Sequence, residues 1–253
     1  MNPWRVGANL ATLANALVGV GAIVYVLLGN PLFAMLLIMI GIGFDGLDGQ
    51  LSRRTGGPGR LFGRIADSVA DAITFGAAPA VLLADHANQG GWGGYALAAL
   101  AVGALYLATA LARLVRFTLL HHGRPYFLGV PTPMAALTVA WLGVAFYVPA
   151  FFSAQPTLFL GIAVVVALLM IAPWPFPKIR RENPLRIPMI IAGIAAAGTL
   201  VPFQFRPGAD SPLYLVAFGA AAIWAAGLLL YFLLGPWSIP PAPRAAPVDR
   251  GGP

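Results

Sequence analysis

Between residues 9 and 234 the chain is a series of long apolar runs in which polar and apolar positions do not alternate. Such runs predict helices and not strands, because a segment crossing a bilayer needs about 20 apolar residues and must satisfy its backbone internally. Eight spans are predicted, over residues 9–29, 31–49, 64–84, 93–117, 131–151, 156–174, 186–203 and 212–234. Gly and Pro interrupt several of them, which membrane helices tolerate where neighbours re-satisfy the freed backbone groups. The expected fold class is all-α: a polytopic integral membrane helix bundle occupying residues 1–235 as one domain. After it comes "PWSIPPAPRAAPVDRGGP", residues 236–253, a Pro-rich tail without apolar period that is expected to be disordered.

The placement of basic residues orients the bundle. With the N-terminus inside, the even-numbered loops and both tails carry Arg5, Arg53, Arg54, Arg60, Arg64, Arg113, Arg116, Arg124, Lys178, Arg180, Arg181, Arg186, Arg244 and Arg250, and only Arg206 falls on the other side. That partition predicts an N-in, C-in topology, and the Gly-, Ala- and Pro-rich composition without an organelle address points to a prokaryotic cytoplasmic membrane. The net charge of +7 then reads as a basic face toward anionic head groups and calls for no nucleic acid. The first span has no small-residue cleavage site after a short core and is read as a retained helix.

Composition agrees with this solvent. The chain is 59% hydrophobic and 9% charged, with a mean hydropathy of +0.83, far from the roughly 25% charged content of soluble domains. The absence of cysteine excludes disulfides, thiolate chemistry and Cys-ligated zinc. No internal repeat is evident, which argues against an inverted-repeat transporter.

Half of the eight acidic residues fall in one stretch, "FDGLDGQLSRRTGGPGRLFGRIADSVADAITFG". Asp45 and Asp48 are three apart at the end of the second span, and Asp67 and Asp71 are four apart at the start of the third. Each pair therefore projects from one helix face. The loop holding Gly56, Gly57, Pro58 and Gly59 lets the helices run antiparallel, so the four carboxylates can converge near the inner interface. A lone Asp at a helix end is ordinarily a cap or an arginine's partner, but two pairs on two faces form a site. An ionisable group in a span costs about 2.5–3.5 kcal/mol on insertion scales, and like charges add repulsion. Divalent cations resolve both, and all-oxygen ligands favour Mg2+, Mn2+ or Ca2+ in a two-metal site for phosphoryl chemistry. Gly46, Gly49 and Gly63 clear space beside the acids for a phosphorylated ligand. A cation-coupled transporter is the competing class, since acids in spans also mark ion paths.

The pattern D-x-x-D-G-x-x-A-R, then G-x-x-x-D-x-x-x-D, is met here by Asp45, Asp48, Gly49, Arg53, Gly63, Asp67 and Asp71, with Ser52 in place of Ala. It resembles the signature of the CDP-alcohol phosphotransferase family of phospholipid-synthesising membrane enzymes. The resemblance implies that Asp45, Asp48 and Asp67 ligate Mg2+ or Mn2+ and help hold the cytidine nucleotide. It further implies that Gly49, Ser52, Arg53 and Gly63 line the CDP pocket, and that Asp71 is the general base and touches the second metal.

Further segments, "NLATLANALVG", "DSVADAITFGAAPAVLL", "LARLVRF" and "YFLGVPTPMAA", resemble the bacterial and archaeal phosphatidylserine synthases of that family. They imply transfer of a phosphatidyl group from CDP-diacylglycerol, or an analogous CDP-lipid, to L-serine with release of CMP, by an enzyme that forms homodimers. Inositol phosphate and glycerol phosphate are the alternative acceptors. Arg113, Arg116 and Arg124 are candidates for acceptor or phosphate recognition, with head-group snorkelling as their ordinary role. Asn9, Thr12 and Asn15 on the first helix either hold helices together or border the nucleotide pocket.

Overall fold

A computed structural model of the chain describes residues 3–54, 61–89, 93–120, 126–147, 156–177, 212–235 and 237. Helix α1 (Pro3–Leu27) and helix α2 (Pro31–Arg53) form an antiparallel hairpin. The turn between them relies on Gly29 at φ 76 and on Asn30, whose side chain caps α2 by accepting from the Phe33 N–H at 3.2 Å. Next come α3 (Leu61–Asp71), a π-helical segment (Ala72–Ala77) and α4 (Ala78–Gln89), which continue one another. After a 3-10 turn at Gly93–Tyr95, α5 covers Ala96–Leu120. Helices α6 (Thr132–Tyr147), α7 (Pro156–Ile171) and α8 (Pro212–Leu234) complete the described elements, with short strands β1 (Tyr126–Leu128) and β2 (Pro175–Pro177).

The first four apolar runs are borne out as helices of membrane-crossing length, Pro3–Leu27, Pro31–Arg53, Phe62–Asp85 and Ala96–Leu119. Helix α2 extends past the predicted end at 49 to Arg53, so the stretch from Asp45 to Arg53 is helical throughout. Helices α6, α7 and α8 fall in the fifth, sixth and eighth runs. The seventh run (186–203), the glycine-rich loop at 56–59 and the tail, Trp237 apart, lie outside the described residues.

A strand pair was not expected. β1 and β2 run antiparallel with Phe127 opposite Phe176. Gly129, at φ 74, ends β1 and turns the chain against α7, where Val130 N–H donates to the Leu169 carbonyl at 3.0 Å. Non-helical backbone inside a bundle must find partners, and here the end of α7 and the segment after it supply them, Leu169 for Val130 and Trp174 for Gly129.

Helix α1 packs with small residues inward and large ones outward, the reverse of a soluble helix. On α1, Ala11, Asn15, Gly19, Ala22 and Val26 are buried while Leu10, Leu13, Leu17, Val20 and Val24 are exposed. Small residues let helix backbones approach where lipid removes the hydrophobic incentive to associate. One core joins α1, α2, the π segment, α4 and α6 around Met35, Ile38, Phe75 and Leu82. A second lies among α4 to α8, around Tyr106, Phe159, Met170 and Tyr231.

A Cβ at Gly129 would stand 2.1 Å from the Met170 carbonyl oxygen in a left-handed conformation, whereas one at Gly161 would meet open space. Gly129→Ala is therefore expected to destabilise the fold by about 1–3 kcal/mol and Gly161→Ala to leave it unchanged. Thermal unfolding in detergent checks this, and equal midpoints for the two variants would contradict it.

Candidate functional site

The aspartates come together from two helices and are held by a third. α2 carries Asp45 and Asp48 and α3 carries Asp67 and Asp71, in each case on one face as the three- and four-residue spacings require. Asp45, Asp67 and Asp71 each present a carboxylate oxygen such that all three lie within 4.8 Å of one another. Asp48 and Asp71 are buried.

α1 supplies neutral donors. Thr12 Oγ1 lies 2.9 Å from Asp48 Oδ2, with the Ala8 carbonyl at 3.1 Å as its alternative acceptor. Asn15 Nδ2 donates to Asp71 Oδ1 at 3.0 Å. Of the three polar residues singled out on α1, Thr12 and Asn15 thus touch the acids directly, while Asn9 is exposed.

The nearby arginines are engaged elsewhere. Arg64 donates to the Thr118 carbonyl, and the hydroxyls of Ser68 and Thr118 are 2.5 Å apart, so one face of α3 is tied to α5. Arg116 reaches the carbonyls of Leu128 at 3.0 Å and Ile171 at 3.2 Å, bracing β1 and the end of α7. Arg113 is 5% exposed and donates through Nη1 to Thr132 Oγ1 at 2.7 Å. Its guanidinium lies beside the Phe117–Phe127 ring pair, 5.9 and 5.6 Å from their centroids, and its buried Nε has no partner. Arg113 therefore keeps donor capacity to offer an anion. Arg124 lies outside the described residues.

The pocket-lining candidates are disposed around the acids. A Cβ at Gly46 or Gly63 would meet nothing within 4 Å, and the exposed Arg53 passes over Gly49, its Nη1 3.6 Å from where a Cβ would stand. Ser52, one residue earlier, is half-buried.

Spacing along the chain could not reveal the Arg64–Ser68–Thr118 tie, because its partners are 50 and 54 residues apart. Nor could it reveal Thr74, whose hydroxyl donates to the Asn15 carbonyl at 2.7 Å. Ser and Thr within an apolar run are too common to mark a contact.

The donor set suits a hard divalent cation. Its ligands are all oxygen, Asp67 Oδ1 is buried without a hydrogen-bond partner, and among the described residues no basic side chain forms an ion pair with the four aspartates. Carboxylates this close need positive charge among them, and Mg2+, Mn2+ or Ca2+ would provide it.

A family model described as CDP-alcohol phosphatidyltransferase matches residues 5–174, a stretch that contains all four aspartates, Arg113 and strand β1 and ends just before β2. The chain belongs to this family. It is 34% identical over 175 residues to the archaetidylserine synthase of Methanothermobacter thermautotrophicus, covering 68% of this chain and 69% of that one. It is 29% identical over 184 residues to a CDP-diacylglycerol–serine O-phosphatidyltransferase of Helicobacter pylori, covering 72% and 76% of the two chains. A protein of the same name from Methanocaldococcus jannaschii is 29% identical over 171 residues, covering 68% and 73%. As a member of the CDP-alcohol phosphatidyltransferase family the chain is a transferase, and the transporter reading is set aside.

If the aspartates hold the cation, Asp67→Asn should weaken Mn2+ binding about 10-fold or more while preserving side-chain shape. Electron paramagnetic resonance titration of free Mn2+ against purified protein measures this directly. Equal affinity in wild type and variant would exclude Asp67 from the ligand set.

Proposed function

We propose that the protein transfers a phosphatidyl-type group from a CDP-linked lipid to the hydroxyl of L-serine and releases CMP. The observation that carries this reading is the convergence of Asp45, Asp67 and Asp71 within 4.8 Å, set in a chain whose relatives are named for serine transfer. Asp45, Asp48, Asp67 and Asp71 would hold two divalent ions, Mg2+ or Mn2+. Bound there, the ions would neutralise the diphosphate and stabilise the CMP leaving group.

Each remaining role falls to a side chain of this protein. Gly49 and Gly63 admit the nucleotide, Ser52 and Arg53 border it, and Arg53 is exposed on the rim with its charge available to phosphate. Asp71 accepts the proton of the acceptor hydroxyl as its oxygen attacks the phosphorus attached to the lipid, and the bond from that phosphorus to CMP breaks with its electron pair leaving on CMP. Arg113 receives the serine carboxylate through the donors it does not spend on Thr132. Arg116 holds the floor beneath it by gripping Leu128 and Ile171.

The same reading includes eight membrane spans in a domain of residues 1–235, an N-in, C-in topology and a catalytic face toward the cytoplasm in a prokaryotic cytoplasmic membrane. Arg53, Arg54, Arg64, Arg113 and Arg116 occur at the same helix ends as the acids, which supports that orientation. It also includes a homodimer, the assembly implied by the family resemblance.

CMP release by purified protein with CDP-diacylglycerol and Mg2+ or Mn2+ tests the reaction, with L-serine, inositol phosphate and glycerol phosphate compared in parallel. Serine-dependent release that stops on chelation is expected. Asp71→Asn should lower turnover by about 10²- to 10⁴-fold while CDP-lipid binding persists. Release with a phosphorylated alcohol alone would reassign the acceptor.

A further inference from the structure

Thr74 and Asn15 form a chain of contacts that ends on Asp71. Thr74 lies in the π-helical segment that begins immediately after Asp71, and its hydroxyl donates to the backbone carbonyl of Asn15 at 2.7 Å. The side chain of that same Asn15 donates to Asp71 Oδ1 at 3.0 Å. Both Asn15 and Thr74 are wholly buried. The change from i→i+4 to i→i+5 bonding therefore falls where two residues of one helix, Asp71 and Thr74, meet one residue of another. Single π turns inside α-helices recur at functional sites.

The surroundings leave this arrangement no slack. A Cβ at Gly19 would stand 2.3 Å from Thr74 Oγ1 and 2.8 Å from its Cα, and one at Gly41 would stand 2.5 Å from Thr74 Cγ2 and 3.0 Å from Asn15 Oδ1. Thr74 thus fills a slot that exists because α1 and α2 each carry glycine there. Asn15 Oδ1 has no hydrogen-bond partner, so the contact with Asp71 is what orients the amide. Rotating the amide would turn its oxygen toward a carboxylate and lose the bond.

We propose that Asn15 and Thr74 are positioning residues that fix the orientation of Asp71, with Thr74 setting the height of α1 and the Asn15 amide occupying Asp71 Oδ1 so that Oδ2 faces the acceptor hydroxyl. The inference rests on the reading of Asp71 as the base. It assigns a task to two buried side chains whose hydrogen bonds link α1 to Asp71 and to the π segment that follows it.

The test compares full-length wild type with Thr74→Val, Thr74→Ser, Asn15→Leu and Asp71→Asn in detergent. Measured quantities are kcat, the KM for each substrate, CDP affinity with Mg2+ by calorimetry, and the thermal midpoint. A reacting group displaced by about 1 Å can cost 10²-fold in rate, so Thr74→Val and Asn15→Leu should each lower kcat by about 10- to 100-fold. CDP affinity and the KM for CDP-lipid should change far less than kcat, since Asp45, Asp48 and Asp67 are untouched and Asp71 keeps its charge. Thr74→Ser, which keeps the hydroxyl, should recover most of the rate.

Thr74→Val with wild-type kcat would overturn the inference, as would CDP affinity falling in parallel with rate, which marks a general structural role. If Asn15→Leu does not fold, the Thr74 pair decides alone. Retained turnover in Asp71→Asn would remove the base assignment itself. That outcome is distinct from Thr74→Val matching wild type while Asp71→Asn is inactive, which would leave the base in place and dismiss only the positioning role.

Discussion

Repulsion among carboxylates placed at one depth of an apolar bundle is the constraint that shapes the rest of this molecule. Asp45, Asp67 and Asp71 bring oxygens within 4.8 Å of one another, and in a low-dielectric setting such a group is tolerable only with compensation. Among the described residues the hydrogen bonds to these acids come from Thr12 and Asn15, each giving one neutral hydrogen bond to a carboxylate. A site neutralised by its own basic side chains would have no electrostatic reason to attract a divalent ion or the phosphates that travel with one. Partial compensation lowers the cost of burying the acids and leaves carboxylate oxygens open to a cation.

The arginines at the same end follow from this. Arg64 and Arg116 spend donors on backbone carbonyls at the ends of α5 and α7 and of strand β1, and Arg113 lies beside two phenylalanine rings with one hydrogen bond to Thr132. In this position they brace neighbouring elements and, among the described residues, form no ion pair with the acids. Among the described residues Arg113 is a deeply buried arginine with an unpartnered nitrogen, while Arg64, whose Nε is also unpartnered, is half-buried. Its burial distinguishes Arg113 from Arg116, although their three-residue spacing made the two look equivalent.

What could be read from the chain follows the range of the rules available. Helical runs and the two aspartate pairs are local patterns, and both appear in the structure because hydrophobic length and the i, i+3 and i, i+4 spacings act within a few residues. The β1–β2 pairing escaped notice because its partners are about fifty residues apart and each strand has only three residues. The π segment escaped because "AITFG" has the composition of any buried helix; what distinguishes it is the fit of Thr74 between two glycines on other helices. Asn15 was visible as a polar residue in a span, yet a bond to another helix and a bond to the acidic cluster have the same sequence appearance. In the structure its partner is Asp71.

The inward-facing glycines then connect stability to chemistry. Gly19 and Gly41 are ordinary small residues for membrane helix packing, and by that account alone alanine would be a mild change at either. In this bundle both face Thr74, whose backbone lies under 3 Å from where a Cβ at Gly19 would be. Any side chain there must push α1 away from the π segment, and α1 carries the donors for both Asp48 and Asp71. The packing that lets α1, α2 and α3 associate in lipid is therefore the same packing that sets the distance from Asn15 to Asp71. A helix hairpin that tolerated looser contact would still span the membrane, but it would not hold a buried carboxylate to one orientation.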